Sequence, residues 1–237
     1  PSSDTPTWYQ FAEGWLSLKS DDAPLLRRFQ EIYPEGSGQI GASAYPVINC
    51  EVRVHPDVPV AVVRFADPEP LDSFAFCQAL FPDRGYVEGP PGADGWRTIA
   101  SRQDAQKPQV ALWDNLALVD RRQTWQPFIA NYAVNRVLRL QRDMLFFHAG
   151  SIGIDGRGLM MVGPKASGKT TTSMTLASRG HSFLGDEMAA VNRATKAMLP
   201  FRRAVSIRRG PRAQRLDDHL SGHSYPVETF PDGGERV

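Results

Sequence analysis

Apolar and polar positions alternate along the chain so as to predict short strands separated by a few helices. Trp8 to Leu18 mixes aromatic and apolar residues in a strand-like or irregular segment. From Asp21 to Tyr33, Leu25, Leu26, Phe29 and Ile32 fall near one face, and Asp21 and Asp22 can cap the start, which predicts a helix. Val47 to Val54 and Val58 to Phe65 read as strands, and Ala75 to Leu80 as a short helix or strand. Gly85 to Gly95, with its Gly-Pro-Pro-Gly, reads as a loop, and the strand pattern resumes from Val110 to Val119. Trp125 to Asp143 is the clearest helix of the first half. Phe128, Ile129, Tyr132, Ala133, Val137, Leu138 and Leu140 make a broad apolar face, with Arg136, Arg139 and Arg142 nearer the other.

Met144 to Phe147 begins a strand that Ser151 to Ile154 continues. The tight turn Asp155-Gly-Arg-Gly158 folds it back into Leu159 to Val162 as an antiparallel hairpin. A helix is predicted from Thr170 to Arg179, closed by Gly180-His181. Ser182 to Leu184 is then a short strand that returns beside Leu159 to Val162 and delivers Gly185-Asp186-Glu187. Ala189 to Val191 and Ala197 to Leu199 predict a further hairpin, and Ala204 to Ile207 a strand within an Arg-rich stretch ending at Arg215. The polar tail from Ser221 to Val237 is expected to be loop, and the chain to stop short of a full fold. The expected class is α/β with a mixed sheet. A boundary near residue 120 separates residues 1–120, an α+β region suited to substrate recognition, from residues 121–237, which carry the candidate chemistry; a core shared by both halves is the alternative.

Composition narrows the classes. Apolar content of 41% and aromatic content of 10% are ordinary for a soluble globular protein. A net charge of +1 supplies no global field to recruit nucleic acid or an anionic membrane. Cys50 and Cys77 stand far apart without metal-ligand spacing, as reduced thiols of a cytoplasmic protein do. No apolar run approaches a membrane span, and no signal-peptide pattern opens the chain.

The most informative stretch is Gly163-Pro164-Lys165-Ala166-Ser167-Gly168-Lys169-Thr170, a complete GxxxxGK[ST] phosphate-binding loop between an apolar run and a helix. Its backbone N–H groups and the helix start, through Thr171, would cradle phosphates. Lys169 would reach the outer phosphates, and the Thr170 hydroxyl would hold Mg2+. Asp186 and Glu187 follow at the end of the next strand, where a carboxylate serves as metal ligand or as general base. Asp186 suits the base, close to the metal, and Glu187 a metal or water contact; a capping, loop-solvating pair is the alternative. His148 is either a ligand-facing residue beside small Ala149 and Gly150 or a satisfied core side chain. Among the arginines at 202, 203, 208, 209, 212 and 215, Arg208 or Arg209 suits a phosphate contact, against a solvated basic face. The run lacks stacking aromatics for RNA. There is no GxSxG elbow and no HRD or DFG set.

Three segments in order, Phe147-His-Ala-Gly-Ser-Ile-Gly-Ile-Asp-Gly-Arg-Gly158, the loop 163–170, and Arg179-Gly-His-Ser-Phe-Leu-Gly-Asp-Glu187, resemble the HPr kinase/phosphorylase superfamily. In that family a His-Gly or His-Ala strand precedes a P-loop hairpin, and an Arg-Gly-His segment leads to an Asp-Asp pair. The resemblance implies a phosphoenolpyruvate-carboxykinase-like P-loop core. It implies ATP- and Mg2+-dependent phosphoryl transfer to a serine hydroxyl on a peptide or protein partner, in an often oligomeric enzyme. By position it implies Asp186 as catalytic base, His148 as active-site histidine and Glu187 in place of the second aspartate. The first 140 residues resemble instead shorter HPr-kinase-like proteins of peptide-modification clusters, including kinases of the C-terminal serine of lasso-peptide precursors. The other readings are a kinase of a small hydroxyl compound such as free serine or a sugar, and a nucleotide-sensing regulator or mechanical ATPase.

Overall fold

The computed structural model describes residues 5–36, 47–66, 71–80, 85–107, 109–122, 125–207, 228–229 and 235–236. Among these it forms a mixed α/β fold with four α-helices and one large mixed sheet. Packing divides the chain into two units, Pro1–Gln141 and Arg142–Val237.

In the first unit, β1 (Thr7–Phe11) and β2 (Gly14–Ser20) pair as a hairpin. Asp22 then starts α1 (Ala23–Ile32), its Oδ2 accepting from the Leu25 N–H at 2.8 Å, with Pro24 in the first turn where its missing N–H removes no bond. β3 (Val47–Val54) runs parallel to β2, and β4 (Val60–Phe65) antiparallel to β3. After α2 (Ser73–Leu80) come β5 (Tyr86–Glu88), β6 (Arg97–Ser101), β7 (Val110–Trp113), β8 (Leu116–Asp120) and α3 (Gln126–Leu140). The eight strands lie in the order β1-β2-β3-β4-β8-β7-β6-β5. The core lies between this sheet and the helices, where fully buried Tyr9, Phe11, Phe29, Phe65, Phe76 and Ile129 meet. Tyr132 of α3 takes Phe65 and Phe76 edge-on at 5.1 and 4.9 Å.

Several expectations change here. The division falls after α3, not near residue 120, because α3 packs on α1, α2, β2 and β3. Val110 to Val119 is not one strand but the β7–β8 hairpin, which turns at Asp114 with φ 49°. Gly85 to Gly95 contains β5, an edge strand with no buried residue and hence no apolar signal, held to β6 and by a Glu88–Arg97 pair at 3.1 Å. Arg136 is buried, not on the solvent face: its guanidinium lies 5.6 Å from the Phe65 ring centre and donates to the Tyr132 hydroxyl.

The second unit contains β9 (Met144–Phe147), β10 (Gly150–Ile154), β11 (Arg157–Met161), α4 (Lys169–Ser178), β12 (Ser182–Gly185), β13 (Ala189–Asn192) and β14 (Met198–Leu199). The β10–β11 hairpin closes through Asp155 and Gly156, at φ 48° and 73°, the left-handed pair that a two-residue type I′ turn requires. Strand order is β11-β10-β12 in one sheet and β14-β13-β9 in another. β12 therefore does not lie beside the P-loop strand β11: it pairs with β10, one strand away. Nor do residues 144–154 form a single strand. Phe147 faces Ala189 and Ser151 faces Gly185, so these two pairs keep one register across a gap that sets residues 148–150 opposite residues 186–188, before the β10–β12 register shifts by one between Ser151 and Ile152. Ala204 to Ile207, expected as a strand, has no regular structure, although Ile207 is buried. In the tail expected as loop, β15 (Glu228–Thr229) and β16 (Glu235–Arg236) pair antiparallel. Among the described residues no helix is long and apolar enough to cross a membrane.

Candidate functional site

The gap in the strand pairing is the centre of the site. Gly150 permits it from one side: a Cβ there would lie 2.8 Å from the fully buried Ser173 Oγ, so only glycine lets α4 approach β10 this closely. Gly185 permits it from the other, where a Cβ would lie 2.6 Å from the Met188 carbonyl oxygen. Residues 148–150 and 186–188 carry no ladder pairing between them, and Asp186 meets the start of α4 at Thr170.

The phosphate-binding loop leads from β11 into α4. Pro164, Lys165, Ala166 and Ser167 are exposed, with Gly163 and Gly168 half-buried. The Ser167 N–H donates to the Pro164 carbonyl at 3.2 Å, and Ala166 and Gly168 take φ of 66° and 89°. A non-glycine residue in that region is uncommon and marks a backbone held by its surroundings. The N–H of Thr172 donates to the Gly168 carbonyl at 2.9 Å, so the earlier amides of Lys169, Thr170 and Thr171 have no acceptor within the helix. They stand at its positive end. Lys169 Nζ donates to the Gly163 and Pro164 carbonyls at 2.8 and 3.1 Å, placing the ammonium over its own loop with its third N–H in neither bond.

Thr170 and Asp186 are in direct contact. The Thr170 hydroxyl donates to Asp186 Oδ2 at 2.8 Å. A hydroxyl has one proton and two lone pairs, so giving its proton to Asp186 leaves Thr170 Oγ1 able to accept a cation. Asp186 Oδ1 is buried and has no hydrogen-bond partner among the described residues. Burial lifts the Asp186 carboxyl above the ordinary aspartate range, and the charge of Glu187 adds to that; the Thr170 hydroxyl, Lys169 and His148 pull the other way.

His148 and Glu187 are nearby but turned to other partners. His148 Nδ1 lies 3.1 Å from the Glu187 carbonyl oxygen across the gap, with the ring itself exposed. The Glu187 carboxylate pairs with Arg203 and not with Thr170. Arg208, the expected phosphate contact, lies outside the described residues, as do Arg209, Arg212 and Arg215. Sequence reasoning passed over Arg203 as one arginine in a run; no spacing rule distinguishes it. Ser173 gave no signal at all.

Among the described residues no three His, Cys, Asp or Glu side chains cluster as a metal cage. Mg2+ keeps several waters and substrate phosphates and takes one or two carboxylates from protein. Thr170 and Asp186 are hard oxygen donors in contact, and Asp186 Oδ1 has no hydrogen-bond partner among the described residues, so the donor set fits that ion. Compared with family models, curated proteins and solved structures, the chain matches none.

Proposed function

We propose that this chain is an ATP- and Mg2+-dependent kinase with a phosphoenolpyruvate-carboxykinase-like core, transferring a phosphoryl group to a serine hydroxyl on a peptide or protein. The acceptor that the resemblance favours is the C-terminal serine of a lasso-peptide precursor. The observation carrying the proposal is the Thr170–Asp186 contact: the carboxylate two residues past the end of β12's Phe183-Leu184 touches the hydroxyl that ends the phosphate-binding motif.

The chemistry follows from that contact. Backbone amides at the start of α4 and the Lys169 ammonium hold the phosphates and take up charge as it shifts toward the leaving group. A magnesium ion held by Thr170 and Asp186 would neutralise phosphate oxygens. The Asp186 carboxylate accepts the serine proton while the serine oxygen bonds to the γ-phosphorus and the bond from that phosphorus to the β-γ bridging oxygen breaks, leaving ADP and phosphoserine. Glu187 and His148 support this arrangement without touching Thr170.

The test is direct. With ATP and Mg2+, peptides ending in serine should gain one phosphate by mass spectrometry, and the same peptides ending in alanine should not. Phosphate appearing only on free serine or a sugar would assign a small acceptor. Tight ATP binding with no acceptor turned over would leave a nucleotide sensor.

A further inference from the structure

Arg203 is the charged residue of this site to which the proposed reaction gives no part. It sits on a segment that runs back over the Asp186 bend. The Phe201 N–H donates to the Leu184 carbonyl at 2.8 Å, just before the bend. The Phe201 carbonyl closes against Gly185, where a Cβ would lie 3.2 Å from it, and the Phe201 ring is buried. Two residues on, the Arg203 guanidinium takes the Glu187 carboxylate at 2.5 Å. On the other side of the same residue, His148 meets the Glu187 carbonyl at 3.1 Å.

Residues 186–188 have no partners in the strand ladder, so the ladder does not fix where Asp186 points. Among the described residues, Asp186 contacts Thr170, and Glu187 is held by Arg203 at its carboxylate and His148 at its carbonyl. We propose that Arg203 is a positioning residue of the transfer site: by holding Glu187 from the anchored Phe201 segment, it keeps the bend in register so that Asp186 stays on Thr170. This rests on the role proposed above for Asp186. Both partners are about 40% exposed, at 38% and 42%. Such a pair adds little to overall stability. Its effect is local, on aim, and small misplacements of a reacting group cost up to about a hundredfold in rate.

The experiment compares the whole chain with Arg203→Ala and Arg203→Lys, reading amide hydrogen exchange over residues 184–189, thermal midpoint, ATP affinity with Mg2+, and transfer to peptide. For Arg203→Ala the expected result is faster exchange confined to that segment, an unchanged midpoint, unchanged ATP affinity and a rate lower by about ten- to a hundredfold. Arg203→Lys should restore most of the protection, because an ammonium keeps the ion pair. Unchanged exchange in Arg203→Ala overturns the proposal. So does a loss of ATP affinity matching the loss of rate, since Arg203 would then touch phosphate directly. Asp186→Asn run in parallel separates the two ideas: full transfer there removes the base, while exchange over 184–189 still decides Arg203.

Discussion

Replacing Asp186 with Asn should separate stability from activity, and the structure sets both magnitudes. The Thr170 hydroxyl now donates to Oδ2 at 2.8 Å, and an amide oxygen can accept the same bond. The other position, Oδ1, is buried without a partner. In the wild type that position holds part of a negative charge out of water, a penalty visible in the raised carboxyl pKa, for which burial is the largest cause. An amide NH2 there is also orphaned, at about 1–3 kcal/mol, but a neutral orphan costs less than a charged one. The two penalties nearly cancel, and the variant should melt no lower than the wild type, with a gain of up to about 1 kcal/mol.

Activity should respond very differently. General-base catalysis contributes about 10²- to 10⁴-fold, or about 3–5 kcal/mol of barrier, and an amide cannot supply it. Lys169 and the helix amides are untouched, so nucleotide should still bind. Thermal melts, ATP titration at saturating Mg2+ and transfer to a serine peptide read the three quantities separately. Transfer at the wild-type rate would refute the base assignment. A clear drop in melting temperature would refute the burial argument, because it would mean that the carboxylate's charge stabilises the fold.

Other expectations follow from single contacts. Gly185→Ala should open the Asp186 bend, since the new Cβ meets two backbone oxygens, of Met188 at 2.6 Å and Phe201 at 3.2 Å; a loss of about 1–3 kcal/mol in urea melts together with lost transfer is expected, and a fully active, equally stable variant would contradict it. Asp72 accepts from the Ala75 N–H at 2.9 Å and pairs with Arg139 at 2.7 Å, and its carboxyl lies below the ordinary range chiefly through that backbone hydrogen bond. A depressed folded-state value gives stability present above the unfolded-state pKa of about 3.9 and lost as pH falls through the folded one, so Asp72→Asn should lower stability at neutral pH, leave it little changed at low pH, and thereby flatten the acid limb of denaturant melts taken across pH. Burial pushes the Cys77 thiol up to about 12, and Cys77 and Cys50 are 1% and 2% exposed. Neither should react with a thiol reagent in the native state at mildly alkaline pH, and both should react after unfolding; rapid native labelling would mean that these sites open readily.

The turn from β11 into α4 was legible in sequence because residues 163–170 form a local motif, whose glycines and following helix formers act within eight residues. The Asp155-Gly156 turn was legible for the same reason, since both central residues must take positive φ. The α1 cap at Asp22 and the β13–β14 hairpin also rest on neighbours in the chain. What sequence left open depends on pairing at a distance. β5 carries no apolar alternation because it is an exposed edge, and its partner strand alone defines it. Arg136 has the composition of a surface residue, and only the approach of Phe65 and Tyr132 makes it a buried one.

The gap at residues 148–150 and 186–188 falls between these cases, and it explains why two separated motifs belong to one site. A regular ladder would hold residues 186–188 in paired strand backbone and send their successive side chains to opposite faces. Interrupting the ladder removes that constraint on both strands at once. It demands small residues where α4 and the bend close in, and these are present as Ala149-Gly150 on one strand and Gly185 on the other. The small residues were readable in sequence beside each motif. Their meeting across a common register was not, because nothing local says that Phe147 faces Ala189 and Ser151 faces Gly185. The same limit hid Arg203: its pairing with Glu187 depends on the segment at Phe201, whose ring is buried, and burial is a property of the fold.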